Sequence, residues 1–198
     1  MSKLILCPNT DVSPDIRISD NGSCNKMIWE NGKLIKPEKY DFSNLEFICE
    51  SLPSNGMTDY AVSDMGCSVV SERFRNLLVS LGVDNIQFYK ATVLEREGEQ
   101  AKEGYYAANI VGLVDCIDRD ASQMRADYDD DGKLDIIYGI NKLVLTEPMP
   151  ECGLLIRAYA FTRLILIDDS LKDSIETNGI TGVRLISPER WDGFNGEI

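Results

Sequence analysis

The sequence predicts an α+β fold built on a largely antiparallel sheet with two main helices. Three observations carry that expectation. Segments rich in β-branched, aromatic and leucine residues outnumber helical ones. The links between them are mostly too short to hold the crossover helix that parallel neighbours need. Two stretches combine helical apolar spacing with start and stop signals.

The elements follow in chain order. The first 55 residues are punctuated by turn signals at Asn21-Gly22, Asn31-Gly32, Pro37 and the run SLPSNG at 51–56. Between them, DIRIS (15–19) and EFICE (46–50) read as strands. This suggests a turn- and strand-rich segment over 1–55, packed on an α+β domain over 56–198. The clearest helix is SERFRNLLVSLG. Ser71 can cap it, and Glu72 sits in the first turn, where the helix dipole favours an anion. Phe74, Leu77, Leu78 and Leu81 form one apolar stripe, and Gly82 stands where a helix commonly ends. Strand-like runs then follow at 85–94, 105–117, 133–140, 141–146, 154–161 and 163–167. A second helix is expected over DDSLKDSIETNG, capped by Asp168 or Asp169, with Leu171 and Ile175 inward and Gly179 at its end. GVRLIS forms the last strand.

Composition narrows the function. With 198 residues, 43% apolar and 27% charged, the chain resembles an ordinary globular protein of one or two domains. Its 33 acidic residues against 20 basic ones give a net charge of -13. Such a chain repels nucleic acid and anionic membranes and attracts a basic partner, although acidity also serves solubility alone. The sequence has no histidine, which excludes a Ser-His-Asp triad, a Cys-His dyad and histidine-ligated zinc. Lysine, carboxylate or metal-water chemistry stays open, but no spacing points to it. The six cysteines, at 7, 24, 49, 67, 116 and 152, form no CxxC pair. The apolar run Leu4–Leu6 is too short for an export signal, and no run is long enough to span a bilayer. The expectation is a cytoplasmic protein with reduced thiols, no cofactor and no catalytic residues.

The stretch DYDDDGKLD, residues 127–135, poses a choice. Asp127, Asp129, Asp131, Gly132 and Asp135 fall at positions one, three, five, six and nine of an EF-hand calcium loop. Position twelve is Tyr138 instead of glutamate, and IIYGI after the loop is β-like where an exiting helix is needed. The other reading is a β-hairpin, with Asp131-Gly132 as a two-residue turn and the aspartates facing solvent. The surroundings are acidic too: Asp115, Asp118 and Asp120 precede the loop, and Asp130 lies within it, making eight aspartates from 115 to 135. Charges this dense repel one another, and a basic partner would relieve that repulsion.

Four segments, taken in order, resemble a bacterial immunity-protein family. They are DYAVSDMGCSVVSERFRNLL (59–78), YYAANIVGLVDCID (105–118), NKLVLTE (141–147) and DSLKDSIETNGITGVRLI (169–186). The family was first catalogued as a domain of unknown function, was later assigned to polymorphic toxin systems, and is best known from myxobacterial members. The resemblance spans about 140 residues, roughly 59 to 198. It implies a non-enzymatic inhibitor that binds a cognate secreted antibacterial toxin, with no catalytic residues to carry over. The recurrent positions Ser71, Phe74, Leu78, Gly179 and Gly182 read as structural. Asp115 and Asp118 suit turn chemistry at a strand end better than binding. The acidic tract formed by Asp115, Asp118, Asp120, Asp127, Asp129, Asp130, Asp131 and Asp135 is the candidate toxin-binding set. An acidic inhibitor fits the basic cleft of a nuclease best, ahead of deaminase, ADP-ribosyltransferase or NAD-degrading toxins. The alternative is a calcium- or small-ligand-binding protein using Asp127, Asp129, Asp131 and Asp135.

Overall fold

The computed structural model describes residues 2–18, 27–43, 45–51, 56–95 and 99–194. The strands, in chain order, are β1 (Lys3–Pro8), β2 (Asp15–Ile18), β3 (Glu46–Ser51), β4 (Tyr60–Val62), β5 (Ser68–Ser71), β6 (Ile86–Glu95), β7 (Glu99–Ile110), β8 (Leu113–Val114), β9 (Gln123–Tyr128), β10 (Leu134–Lys142), β11 (Leu155–Ala158), β12 (Ile165–Asp168) and β13 (Val183–Ile186). The helices are α1 (Met27–Glu30), α2 (Glu72–Ser80) and α3 (Lys172–Thr177). They build a six-stranded sheet in the order β2-β3-β6-β7-β5-β4, a five-stranded sheet in the order β13-β1-β12-β11-β8, and a separate β9–β10 hairpin. Strand pairing is antiparallel except between β3 and β6 and between β8 and β11.

The α+β expectation stands in its coarse form. Strand residues outnumber helical ones, 43% to 16%. The expected pair of main helices shrinks to one helix of more than two turns, α2. Ser71 caps it, its hydroxyl accepting from the Phe74 N–H at 3.1 Å. Phe74 and Leu78 are buried, and Leu77 and Leu81 pack beside them, as the apolar stripe requires. The second helix is a 3-10 turn, Asp169–Leu171, followed by the six residues of α3. Asp168 caps that turn by accepting from the Ser170 N–H at 3.1 Å. Six residues offer little more than one and a half turns, and Leu171 and Ile175 bury the face that exists.

Several strand boundaries moved, each for a non-local reason. The run 105–117 is not one strand. It leaves the six-stranded sheet after Ile110, turns at Gly112, and joins the five-stranded sheet as β8. The runs 133–140 and 141–146 are instead one strand, β10, followed by a segment with only an isolated Ile117–Leu145 bridge. The run 154–161 ends at Ala158, before Ala160 with its φ of +62°. The turns expected at Asn21-Gly22 and within 52–55 lie outside the described residues. Within the segment 1–51, β1 lies between β12 and β13, whereas β2 and β3 belong to the six-stranded sheet.

Leu134, Ile137, Ile140 and Leu143 are buried at a spacing of three, which neither a regular strand nor a turn signal predicts. Register shifts between Leu134 and Ile136, Ile137 and Gly139, and Ile140 and Lys142 explain it. Each irregularity resets the in–out alternation, so one face of the hairpin stays apolar along its length. That face packs on Ile5, Leu166, Phe161 and Trp191, fastening the hairpin to the five-stranded sheet. Burial contributes about 2 kcal/mol for each such side chain. A second cluster, with Tyr60, Phe74, Ile110, Leu155 and Ile167, joins the two larger sheets beneath α2.

Candidate partner-binding surface

The acidic tract begins where β8 ends. Asp115 is exposed and pairs with Arg119 at 2.5 Å. The Asp118 Oδ1 accepts from the backbone N–H groups of Asp120 and Ala121, both at 3.0 Å, so this carboxylate holds a turn. Its turn role at the strand end is the one that the residue type suggested. The segment then runs beside 143–146, tied by the Asp118 N–H to the Val144 carbonyl at 2.9 Å and by the Ser122 hydroxyl to the same carbonyl at 3.1 Å.

At the far end of β9 the chain turns through 129–133. The Asp129 carbonyl accepts from the Gly132 N–H at 2.9 Å, and the Asp129 N–H donates to Lys133 at 2.8 Å. This closes a three-residue loop, Asp130-Asp131-Gly132, in place of the expected two-residue turn. Gly132, with a φ of +74°, takes the left-handed position of a type I turn followed by a bulge. The Asp129 carboxylate braces the loop, accepting from the N–H groups of Asp131 at 3.1 Å and Lys133 at 2.7 Å. Asp127 accepts from the Tyr138 hydroxyl across the strands at 2.6 Å. That hydrogen bond, burial and the charges of Asp127 and Asp135 push the Tyr138 phenol above its ordinary range. Among the described residues, no hydrogen bond or ion pair within the chain engages the side chains of Asp130, Asp131 and Asp135.

The structure therefore divides the eight aspartates. Asp127, Asp129, Asp130, Asp131 and Asp135 gather at the hairpin tip. Asp115, Asp118 and Asp120 sit at the other end of β9, roughly 20 Å away at about 3.3 Å per residue. That separation exceeds the screening length of about 8 Å at physiological salt, so the two groups are electrostatically separate. The loop is flanked by two strands instead of two helices, and Tyr138, at the twelfth calcium-loop position, donates to Asp127. Among the described residues, no group of three or more Asp, Glu or Cys side chains is arranged to hold a metal ion.

The hairpin also exposes apolar side chains. Tyr128, Ile136 and Tyr138 lie on it, and Tyr159 donates its hydroxyl to the Leu134 carbonyl at 3.1 Å. Phe194 follows Gly193, whose backbone crowds the Ile140 carbonyl on β10. Large apolar side chains gathered within a charged surface are a common mark of a protein interface. Beside the hairpin, a cleft of about 670 Å³ opens between the end of β1, the turn joining β4 to β5, and residues 191–194. Arg157 lies in its floor, 1% exposed, donating to the carbonyls of Thr162 and, at 3.1 Å, Trp29. Among the described residues, its Nε–H has no partner. Burial pulls the Arg157 guanidinium below its ordinary value, with Tyr60 and Glu30 opposing the shift.

Sequence reasoning passed over the most heavily bonded carboxylate. Asp59 accepts from the Ser71 hydroxyl at 2.7 Å, from Arg73 at 2.6 Å, and from the Thr181 N–H and hydroxyl, both at 2.8 Å. It joins the start of β4, the cap of α2 and the turn before β13. Burial raises its carboxyl, but the hydrogen bonds from Ser71, Thr181 and Arg73 outweigh burial and hold it below the ordinary range. Nothing local to Asp59 announces a partner 122 residues away. Gly182, beside that partner, fits because a Cβ there would meet the Tyr60 carbonyl at 2.2 Å.

Fold and surface together define an α+β protein whose most prominent exposed element is an acidic, tyrosine-bearing hairpin. The chain belongs to the immunity protein family Imm11, whose model matches residues 25–188. That membership assigns it to toxin immunity, with a toxin protein as its partner. No curated protein matches the chain. The family match takes in α1, β3 and the whole acidic tract, and so reaches further toward the amino terminus than the resemblance at 59–198. Among the described residues, no helix is long and apolar enough to cross a membrane.

Proposed function

We propose that the chain acts in the cytoplasm as a non-enzymatic inhibitor of a secreted antibacterial nuclease, covering the toxin's basic active-site cleft with its acidic tract. The observation that carries this reading is the hairpin tip, where Asp130, Asp131 and Asp135 face outward without a partner among the described residues. A nuclease holds phosphates with basic side chains, and a projecting cluster of carboxylates competes for the same charge. The net charge of -13 extends the attraction and favours fast association with a basic protein over binding nucleic acid or anionic lipid. Asp127 and Asp129 shape the tip through their internal hydrogen bonds, whereas Asp115, Asp118 and Asp120 form a second, more distant acidic site.

The test is direct. The C-terminal domain of the toxin encoded beside this chain's gene is produced with and without the chain, and its nuclease activity is measured. Stoichiometric loss of cleavage supports the reading. A toxin that cleaves no nucleic acid yet is neutralised would keep immunity and remove the nuclease. A toxin left fully active by an excess of the chain would remove both.

A further inference from the structure

The cleft beside the hairpin has features that the acidic tract lacks. Among the described residues, Asp15, Glu30 and Asp64 line its walls against one exposed cation, Arg163, so that lining is net negative. Two of the most exposed aromatic rings of the described chain, Tyr138 at 56% and Phe194 at 72%, stand at that mouth. Cleft volumes of roughly 300–1,000 Å³ suit enclosed side chains or small ligands, and this one falls within that range. An anionic occupant would meet the carboxylates first and find the floor guanidinium already covered. A cationic side chain meets complementary charge at the rim and aromatic faces on which it can stack.

Resting on the immunity reading above, we propose that this cleft is the anchoring site for the toxin and receives a protruding arginine- or lysine-bearing loop. Tyr138 and Phe194 clamp the loop, while Asp15 and Glu30 hold its charge near the mouth. The Arg157 cation in the floor sets the depth limit, because a second cation cannot approach it without repulsion. The cleft and the acidic tip form one continuous surface, since Tyr138 lines the first and donates to Asp127 of the second. The tip attracts the toxin and the cleft retains it. Asp15 and Phe194 lie outside the matched residues 25–188, and the other anchor residues lie within them.

The experiment compares dissociation rates from the toxin domain encoded beside the gene. The double variant Tyr138→Ala/Phe194→Ala is expected to dissociate about 30-fold faster or more, as loss of central aromatic anchors does, with an association rate changed less than about threefold. Both side chains are more than half exposed, so the variant should fold, and an unchanged melting curve checks it. A second variant, Asp15→Lys, should weaken binding without touching either ring. Wild-type binding with an unchanged dissociation rate in both variants overturns the cleft and leaves the immunity reading standing. Wild-type chain that fails to bind the domain overturns both. A wild-type dimer that the aromatic variant splits would give the surface to a second copy and likewise overturn the proposal.

Discussion

Two regions of this protein set aspartate carboxylates against donors, and they do so for opposite ends. At the β4 junction, Asp59 is 12% exposed and accepts from Ser71 and Arg73 at the start of α2 and from Thr181, 122 residues away. At the hairpin tip, among the described residues, the Asp129 carboxylate accepts only from N–H groups two and four residues ahead, and those of Asp130 and Asp131 accept from none. The first carboxylate closes long loops and therefore stabilises the fold. The second shapes a local turn and leaves its neighbours' charge available. Abundance of aspartate in the sequence thus says little about where aspartate matters for stability. What decides it is whether the donors lie near in sequence or only near in space.

The largest expected effect comes from breaking the junction. Asp59→Ala leaves Ser71 and Thr181 without this acceptor and Arg73 with the Gly179 carbonyl alone, and should destabilise by about 3 kcal/mol, read as a lower urea midpoint. Asp129→Ala, in an exposed loop, should cost no more than about 1 kcal/mol. Equal losses at the two sites would erase the contrast between them.

The second effect is acid sensitivity. The folded-state carboxyl of Asp59 lies below its ordinary value of 3.8. Its contribution is therefore fully present above that value and is lost as pH falls through the lower, folded one. Asp168 behaves alike: burial raises it, but hydrogen bonds from Ser170 and the nearby Lys3 more than offset that. Stability measured by denaturant titration should be flat from pH 7 to about 5 and fall below about 4. Asp59→Asn should show a shallower fall, with the remainder due to Asp168 and to Asp41, which hydrogen bonds from Ser43 hold below its ordinary value. An identical slope in the variant would assign the acid transition elsewhere.

Third, neutralising Asp127, Asp129, Asp130 and Asp131 together as asparagines should leave the fold intact, since asparagine retains the acceptor oxygens that Asp127 and Asp129 use. Association with a basic toxin should slow by up to about tenfold at low salt and lose much of its salt dependence. A rate unchanged at both low and moderate salt would mean that the tip faces only water. The smallest effect concerns calcium. A filled site would stabilise by about 2.7 kcal/mol at a hundredfold excess over Kd. Millimolar calcium should instead shift Tm by less than about one degree. A rise of several degrees, abolished by Asp129→Ala and Asp131→Ala, would restore the loop as a calcium site.

Helix α2 shows what local signals secure. Its cap, its apolar stripe and its glycine stop all lie within twelve residues, and each acts at short range, so the sequence pattern and the structure coincide. The acidic loop was legible in kind, as a hairpin, but not in detail. The G1-type closure around Gly132 depends on register, and the spacing of three in β10 depends on irregularities that a partner strand must accommodate. Period-two reasoning has no access to either.

The chain's charge, its lack of histidine, the capped helix, the turn-forming aspartates and the order of the family segments follow from sequence alone, because each is a property of neighbouring residues. Tertiary structure alone decided that β1 pairs with strands more than 150 residues away, that the run at 105–117 divides between two sheets, and that Asp59 meets Thr181. It also separated the aspartates at 115–120 from those at the tip, and brought Tyr138 and Phe194 into the lining of one cleft. These are non-local contacts, selected by how apolar faces from distant segments can be buried together, and no short window of sequence contains both partners.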